Sequence, residues 1–161
     1  MTPQFQENLI EIFNCLPDAT FAIDIQGRVV AWNHGMEALT GVPGDAVIGK
    51  GNHEYTLPFY GVRKLMLIDL VFKSDAEIEK KYRYIYRTDS VVIGETEAAK
   101  LKGQNVYLWG KAAAIRDHTG EVVGAIESIR NITLIKQTEE ALRRSEQQLK
   151  EQKTALEQKN I

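Results

Sequence analysis

The sequence predicts an α+β fold: an antiparallel sheet with short helices packed on one face. Three observations carry this. Strand-like apolar segments come as two early in the chain and three late, with short helical stretches between them. Gly and Pro punctuate the chain as far as the last of these strands. From Ile132 onward there is no Gly and no Pro, and Lys, Glu, Gln and Arg take over. That shift divides the chain into an N-terminal flanking helix (1–16), a compact domain (17–131) and a protruding C-terminal helix (132–161).

Thr2-Pro3 reads as a helix start, with Thr2 as cap and Pro3 at the first helical position. Phe5, Leu9, Ile12 and Phe13 follow at helical spacing, and Pro17 ends the run. Thr20 to Ile25 alternates as a strand with Phe21, Ile23 and Ile25 on one face. Gln26-Gly27 turns, and Arg28 to Trp32 completes a hairpin. Asn33 caps a short helix over His34 to Thr40 that Gly41 terminates. Pro43-Gly44-Asp45 opens another turn, and residues 50–58 read as irregular. Gly61 to Phe72 reads as a central helix. Ser74 to Tyr82 reads as a further helix capped by Ser74, with Glu77 three residues on. Tyr84 to Thr96 is β-like around an Asp89-Ser90 turn. Asn105 to Arg116 is a long strand with a bulge expected at Gly110. Asp117 to Gly120 turns, and Glu121 to Arg130 closes the sheet.

The 161 residues carry 20 Lys and Arg against 22 Asp and Glu, a net charge of -2. That balance gives no electrostatic case for nucleic acid or an anionic membrane surface. A single cysteine, Cys15, excludes an internal disulfide and a thiolate cluster. Residues 1–16 lack the apolar block of a signal peptide, and the most apolar stretch, Leu65 to Phe72, is short and broken by Asp69. A cytoplasmic location with no membrane contact is the expectation. No nucleophile–base spacing, phosphate loop or paired metal-ligand motif is present, so catalysis by this chain is not expected.

Two motifs carry a family resemblance. Ala22-Ile23-Asp24-Ile25-Gln26-Gly27-Arg28-Val29-Val30-Ala31-Trp32-Asn33, continuing through Glu37, Leu39, Thr40, Gly41 and Ile48-Gly49, resembles the start of PAS domains. Asp117 to Gly120, then Val123-Gly124-Ala125-Ile126 and Arg130-Asn131-Ile132-Thr133, resembles their end, with Asn131 where the family usually carries Asp. The likeness covers about residues 10–133. It implies a five-stranded antiparallel sheet with short helices enclosing a cavity, and a sensor or dimerisation module without catalysis of its own. Such modules occur in bacterial or archaeal signalling proteins, most often sensor histidine kinases, and also in transcription regulators and diguanylate cyclase regulators.

The tail is legible without the family. Ile135, Leu142, Leu149 and Leu156 recur every seven residues, one seam of a coiled coil whose second seam is polar. Glu139–Arg143, Glu140–Arg144 and Glu146–Lys150 stand at favourable spacing. Such a helix forms readily and dimerises weakly, which suits a signalling lever. A solvated spacer is the alternative. Asn131, Ile132 and Thr133 would join domain to lever, and Ile135, Leu142, Leu149 and Leu156 would carry the signal to a downstream effector, a histidine kinase first among the classes. A homodimer through the flanking helices is the expected assembly.

Cofactor chemistry narrows the ligand. Haem needs an axial His, and the helix that carries it in haem-binding members has none here; His53 is the nearest alternative, while His34 and His118 suit the surface. Light-sensing flavin members place a cysteine in the central helices, and Cys15 lies outside them, as a packing residue. Haem and a thiol-adduct flavin are therefore argued against, no metal site is expected, and the cofactor is left unidentified. An organic ligand in an apolar pocket is what remains. Candidate contacts are Tyr55, Arg63, Tyr107, Trp109 and whichever of Glu127 and Ser128 points inward. Gly110, Ala112 and Ala114 would leave room on the inner face. Core packing competes for Tyr107 and Trp109, and a surface position for Arg63.

Overall fold

The computed structural model describes residues 2–160; residues 1 and 161, the outer ends of the two flanking segments, lie outside the described residues. The chain divides into two compact units, Met1–Asn131 and Ile132–Ile161. In the first, α1 (Pro3–Asn14) precedes the hairpin of β1 (Ala19–Asp24) and β2 (Val29–Trp32). Helices α2 (His34–Thr40), α3 (Leu57–Tyr60) and α4 (Ala76–Glu79) follow. The strands β3 (Tyr84–Arg87), β4 (Val91–Leu101), β5 (Gln104–Arg116) and β6 (Val122–Asn131) close the unit. The second unit is α5 (Thr133–Lys159).

The strands form one antiparallel sheet in the order β2-β1-β6-β5-β4-β3. The α+β class stands. The sheet has six strands rather than five, because β3 adds to the β4 edge. Its inner face is set by alternation. Phe21 and Ile23 of β1, Leu108 and Ala112 of β5, and Ala125 and Ile129 of β6 are buried, while residues between them face the other way. A short 3₁₀ segment, Leu67–Val71, packs on β4, β5 and β6. Phe21 anchors the core between Trp32 and Tyr55, with ring centroids 5.7 and 5.4 Å away.

Asn33 shows how a sequence signal becomes architecture. It is fully buried, and its Oδ1 accepts from the N–H of Met36 at 3.0 Å, capping α2, and from that of Thr20 at 2.9 Å. Its Nδ2 donates to the carbonyls of Phe13 at 3.2 Å and Asp18 at 3.0 Å. One amide thus ties the end of α1, the start of β1 and the start of α2. Gly41, at φ 75°, ends α2 in the left-handed region as expected.

Several expectations need correction. The central helix over Gly61–Phe72 does not form. Gly61, at φ 69°, terminates α3, which begins within the stretch read as irregular and ends beyond it. Met66, Leu67, Ile68, Asp69 and Leu70 are all buried, a run that a surface helix with one wet face cannot provide. Helix α4 is capped by Asp75 rather than Ser74: the Asp75 carboxylate accepts from the N–H groups of Glu77 at 3.1 Å and Ile78 at 3.2 Å. Thr2 occupies the cap position of α1 but makes no side-chain capping bond. No bulge occurs at Gly110, which pairs regularly with Gly94 and Ile129; the register shifts lie between Thr96 and Ala99 and between Ile115 and Arg116. Cys15 is exposed at the end of α1, so it is not a packing residue. Ile25 stands 57 % exposed and shares no burial with Phe21 and Ile23, because β1 ends at Asp24.

Candidate functional site

The inner face of the sheet carries a buried carboxylic acid among mostly apolar side chains. Glu127 sits on β6 between Ala125 and Ile129, opposite Ala112 on β5 and Phe21 on β1, and is 2 % exposed. Its Oε2 accepts from the Ile68 N–H at 3.1 Å. Gly110 supplies the room. A Cβ there would stand 2.8 Å from Glu127 Oε1 and 2.8 Å from Leu67 Cδ2. The glycine therefore serves close approach rather than a bulge. Burial pushes the Glu127 pKa up to about 8, the Asp69 charge pushes it the same way, and the Ile68 N–H bond opposes both.

Asp69 connects this acid to its surroundings. Tyr55 donates its hydroxyl to Asp69 Oδ1 at 2.6 Å, and the Met66 N–H donates to Oδ2 at 2.9 Å. His53 Nε2 stands 3.5 Å from the same Oδ1. Burial, then the Asp69 charge, raise the Tyr55 pKa far above the ordinary phenol value, so Tyr55 stays a donor. On the other side, Tyr60 and Tyr82 line the space beside Glu127. Burial and then the Glu127 charge push Tyr60 up to about 12. The space beside Glu127, lined in part by Tyr60, Tyr82, Thr96 and Leu108, is about 10 Å³. That is room for one water. The cluster can hold or release a proton, and it can exchange the hydrogen bond between β6 and the 3₁₀ segment.

The six candidate contacts separate. Tyr55 and Glu127 converge on Asp69. Of the pair on β6, Glu127 points inward, while Ser128 faces away and its Oγ lies 2.9 Å from Thr20 Oγ1. Tyr107 and Trp109 also lie on the outer face, where Arg83 and Arg130 cover their rings at 5.9 and 5.1 Å. Arg130 in turn makes a two-bond pair with Asp18, both bonds 2.8 Å. Arg63 is at the surface, bonded to Glu54 at 2.6 Å. Of the junction, Asn131 ends β6 opposite Leu108, Ile132 precedes α5 with its carbonyl accepting from Lys136 N–H at 3.0 Å, and Thr133 is the first helical residue. Along α5, Ile135, Leu142, Leu149 and Leu156 are 57–62 % exposed. Glu140–Arg144 closes at 2.6 Å, and Glu139 reaches Lys136 at 3.8 Å.

Asp69, the hub, was missed as a site residue. Its signal was present: it is the one charge inside the most apolar stretch of the chain. Among the described residues no group of three or more His, Cys, Asp or Glu could hold a metal ion, and no helix is long and apolar enough to cross a membrane.

A family model described as "PAS fold" matches residues 13–137. No curated protein matches the chain. Among solved structures, the PAS domain of BvgS from Bordetella pertussis is similar at 18 % identity and a TM-score of 0.55, over 87 % of this chain and 94 % of that one. An RNA-binding Light-Oxygen-Voltage receptor is similar at 14 % identity and a TM-score of 0.61, over 91 % of this chain and 38 % of that one. Histidine kinase ThkA, in complex with response regulator TrrA, is similar at 20 % identity and a TM-score of 0.54, over 85 % of this chain and 35 % of that one.

Proposed function

The chain belongs to the PAS fold family, and from that premise we propose that it is the signal-input module of a larger cytoplasmic signalling protein. In this reading a small ligand or a partner alters the Glu127–Asp69 cluster, and the change passes along β6 into α5 and on to an effector. The observation that carries it is the position of Glu127. A buried, protonatable acid lies on the strand that runs, through Asn131 and Ile132, directly into α5. A shift in its hydrogen bond to Ile68 loads that strand. The effector proposed is a histidine kinase, the class of the similar protein ThkA. Transcription regulators and diguanylate cyclases would use the same input. The chain itself is proposed to bind and relay without turning over a substrate.

Amide hydrogen exchange across α5 tests the relay. Glu127→Gln keeps an acceptor for the Ile68 N–H but cannot ionise. The expected result is that protection in α5 changes between pH 6 and pH 9 in the parent and stays constant in the variant. Identical, pH-independent protection in both would remove the relay.

A second reading, a dimerisation module with a filled core, is favoured by the space beside Glu127, which is about 10 Å³. It shares with the first a homodimer through α1 and α5. Phe5, Leu9 and Ile12 of α1 are 51, 44 and 61 % exposed, so this stripe is not covered by the chain's own sheet.

A further inference from the structure

A second cavity shares Asp69 and His53 with the interior cluster and lies between the β1–β2 turn, the loop at Asn52-His53 and the segment after Leu65. We infer that this cleft, about 350 Å³, binds a zwitterionic α-amino acid with an apolar side chain. Its volume suits a ligand of that size, at the lower end of small-molecule sites. Ile25, Leu65 and Phe72 form an apolar wall; Ile25 is 57 % and Phe72 40 % exposed, which leaves apolar surface at the mouth for a ligand to cover.

The charges fit one arrangement. Asp69 and Lys73 both line the cleft, Asp69 within the 3₁₀ segment and Lys73 just beyond its end. Asp69 is buried and Lys73 exposed, so the cleft lining holds one negative group inside and one positive group at the surface. An ammonium would meet Asp69, a carboxylate would meet Lys73, and the side chain would lie against the apolar wall. His53 flanks the Asp69 carboxylate. Asn52 and His53 are consecutive non-glycine residues at φ 53° and 55°. The His53 imidazole lies close to Asp69, with Nε2 3.5 Å from Oδ1. The ring also lies 5.8 Å from that of Tyr55. A ligand ammonium beside Asp69 would neutralise part of the charge that holds the proton on Glu127. The cleft would thus feed the relay proposed above, though binding itself does not depend on that relay.

Calorimetric titration of the full chain with L-leucine and L-phenylalanine tests the site, with isocaproate and isoamylamine as analogues lacking one charge each. At least one amino acid should bind, and its one-charge analogues should bind at least tenfold more weakly. Lys73→Ala and Phe72→Ala, both at exposed positions, should each weaken binding at least tenfold with the melting temperature retained. If neither amino acid binds, or isocaproate binds as tightly, or Lys73→Ala binds like the parent, the proposal is overturned. Amino-acid binding without any change in α5 exchange would leave the cleft standing and remove the relay. A pH-dependent α5 response without amino-acid binding would do the reverse.

Discussion

Two buried side chains hold more of this molecule than their size suggests. Asn33 satisfies all of its amide hydrogen-bonding capacity inside the protein, with bonds to Thr20, Met36, Phe13 and Asp18. Asn33→Ala would remove the side-chain acceptor of the Thr20 N–H and take one of the bonds made by the Met36 N–H and by the Phe13 and Asp18 carbonyls, each of which keeps another. The expected cost is about 2–4 kcal/mol, seen as a lower denaturant midpoint with an unchanged slope. Glu127 works through its proton. Its pKa is about 8 in the fold, against the ordinary carboxylate value of 4.5 when unfolded. Between those values the native state holds a proton that the unfolded chain has lost. Glu127 therefore contributes a stability that is complete below the unfolded pKa and is lost as pH rises toward the folded one. Melting temperature should fall from pH 5 to pH 8 in the parent, and Glu127→Gln should flatten that slope. A parent whose melting temperature is constant across the range would show that Glu127 ionises freely.

At the scale of elements, what was legible was what local chemistry decides. The hairpin at Gln26-Gly27, the Asn33 cap, the Gly41 terminator and the two long closing strands each carry their cause within a few residues. The stretch from Gly61 to Tyr82 does not. Its apolar spacing suits a helix, yet burial of Met66 to Leu70 on all sides imposes a 3₁₀ segment whose first N–H is held by Asp69. Gly110 teaches the same lesson. A glycine in a strand signals either a bulge or a close approach, and only the fold reveals that the approaching group is the Glu127 carboxylate. Trp109 and Tyr107 alternate as read, but which face is inward depends on the layer of helices. The element with the clearest unmet requirement is α1, whose apolar stripe is exposed while only Phe13 and Asn14 are half-buried. Deletion of residues 1–16 should therefore reduce the mass measured in solution to that of a monomer or a weaker dimer. An unchanged mass would show that α1 is not the contact.

In the proposed homodimer, α5 is the second contributor. Its 27 residues give a rod of about 40 Å, stabilised by its own side-chain pairs. One heptad seam is apolar and the other polar, so pairing of two such helices buries only Ile135, Leu142, Leu149 and Leu156 from each. Full burial of a leucine contributes about 1.5–3 kcal/mol, and these side chains begin 57–62 % exposed, so each contributes less. The association proposed for α5 is accordingly weak and adjustable, and in the proposed relay a modest change in the sheet shifts it. Leu142→Glu with Leu149→Glu removes half of that seam and sets like charges against each other across the dimer axis. Sedimentation should then show a dissociation constant raised at least tenfold, since about 1.4 kcal/mol suffices for that change. Far-UV circular dichroism should retain the helix, because glutamate is a good helix former. If association is unaltered while helicity is kept, the leucine seam does not pair and α5 acts as a spacer, with dimerisation left to α1 alone.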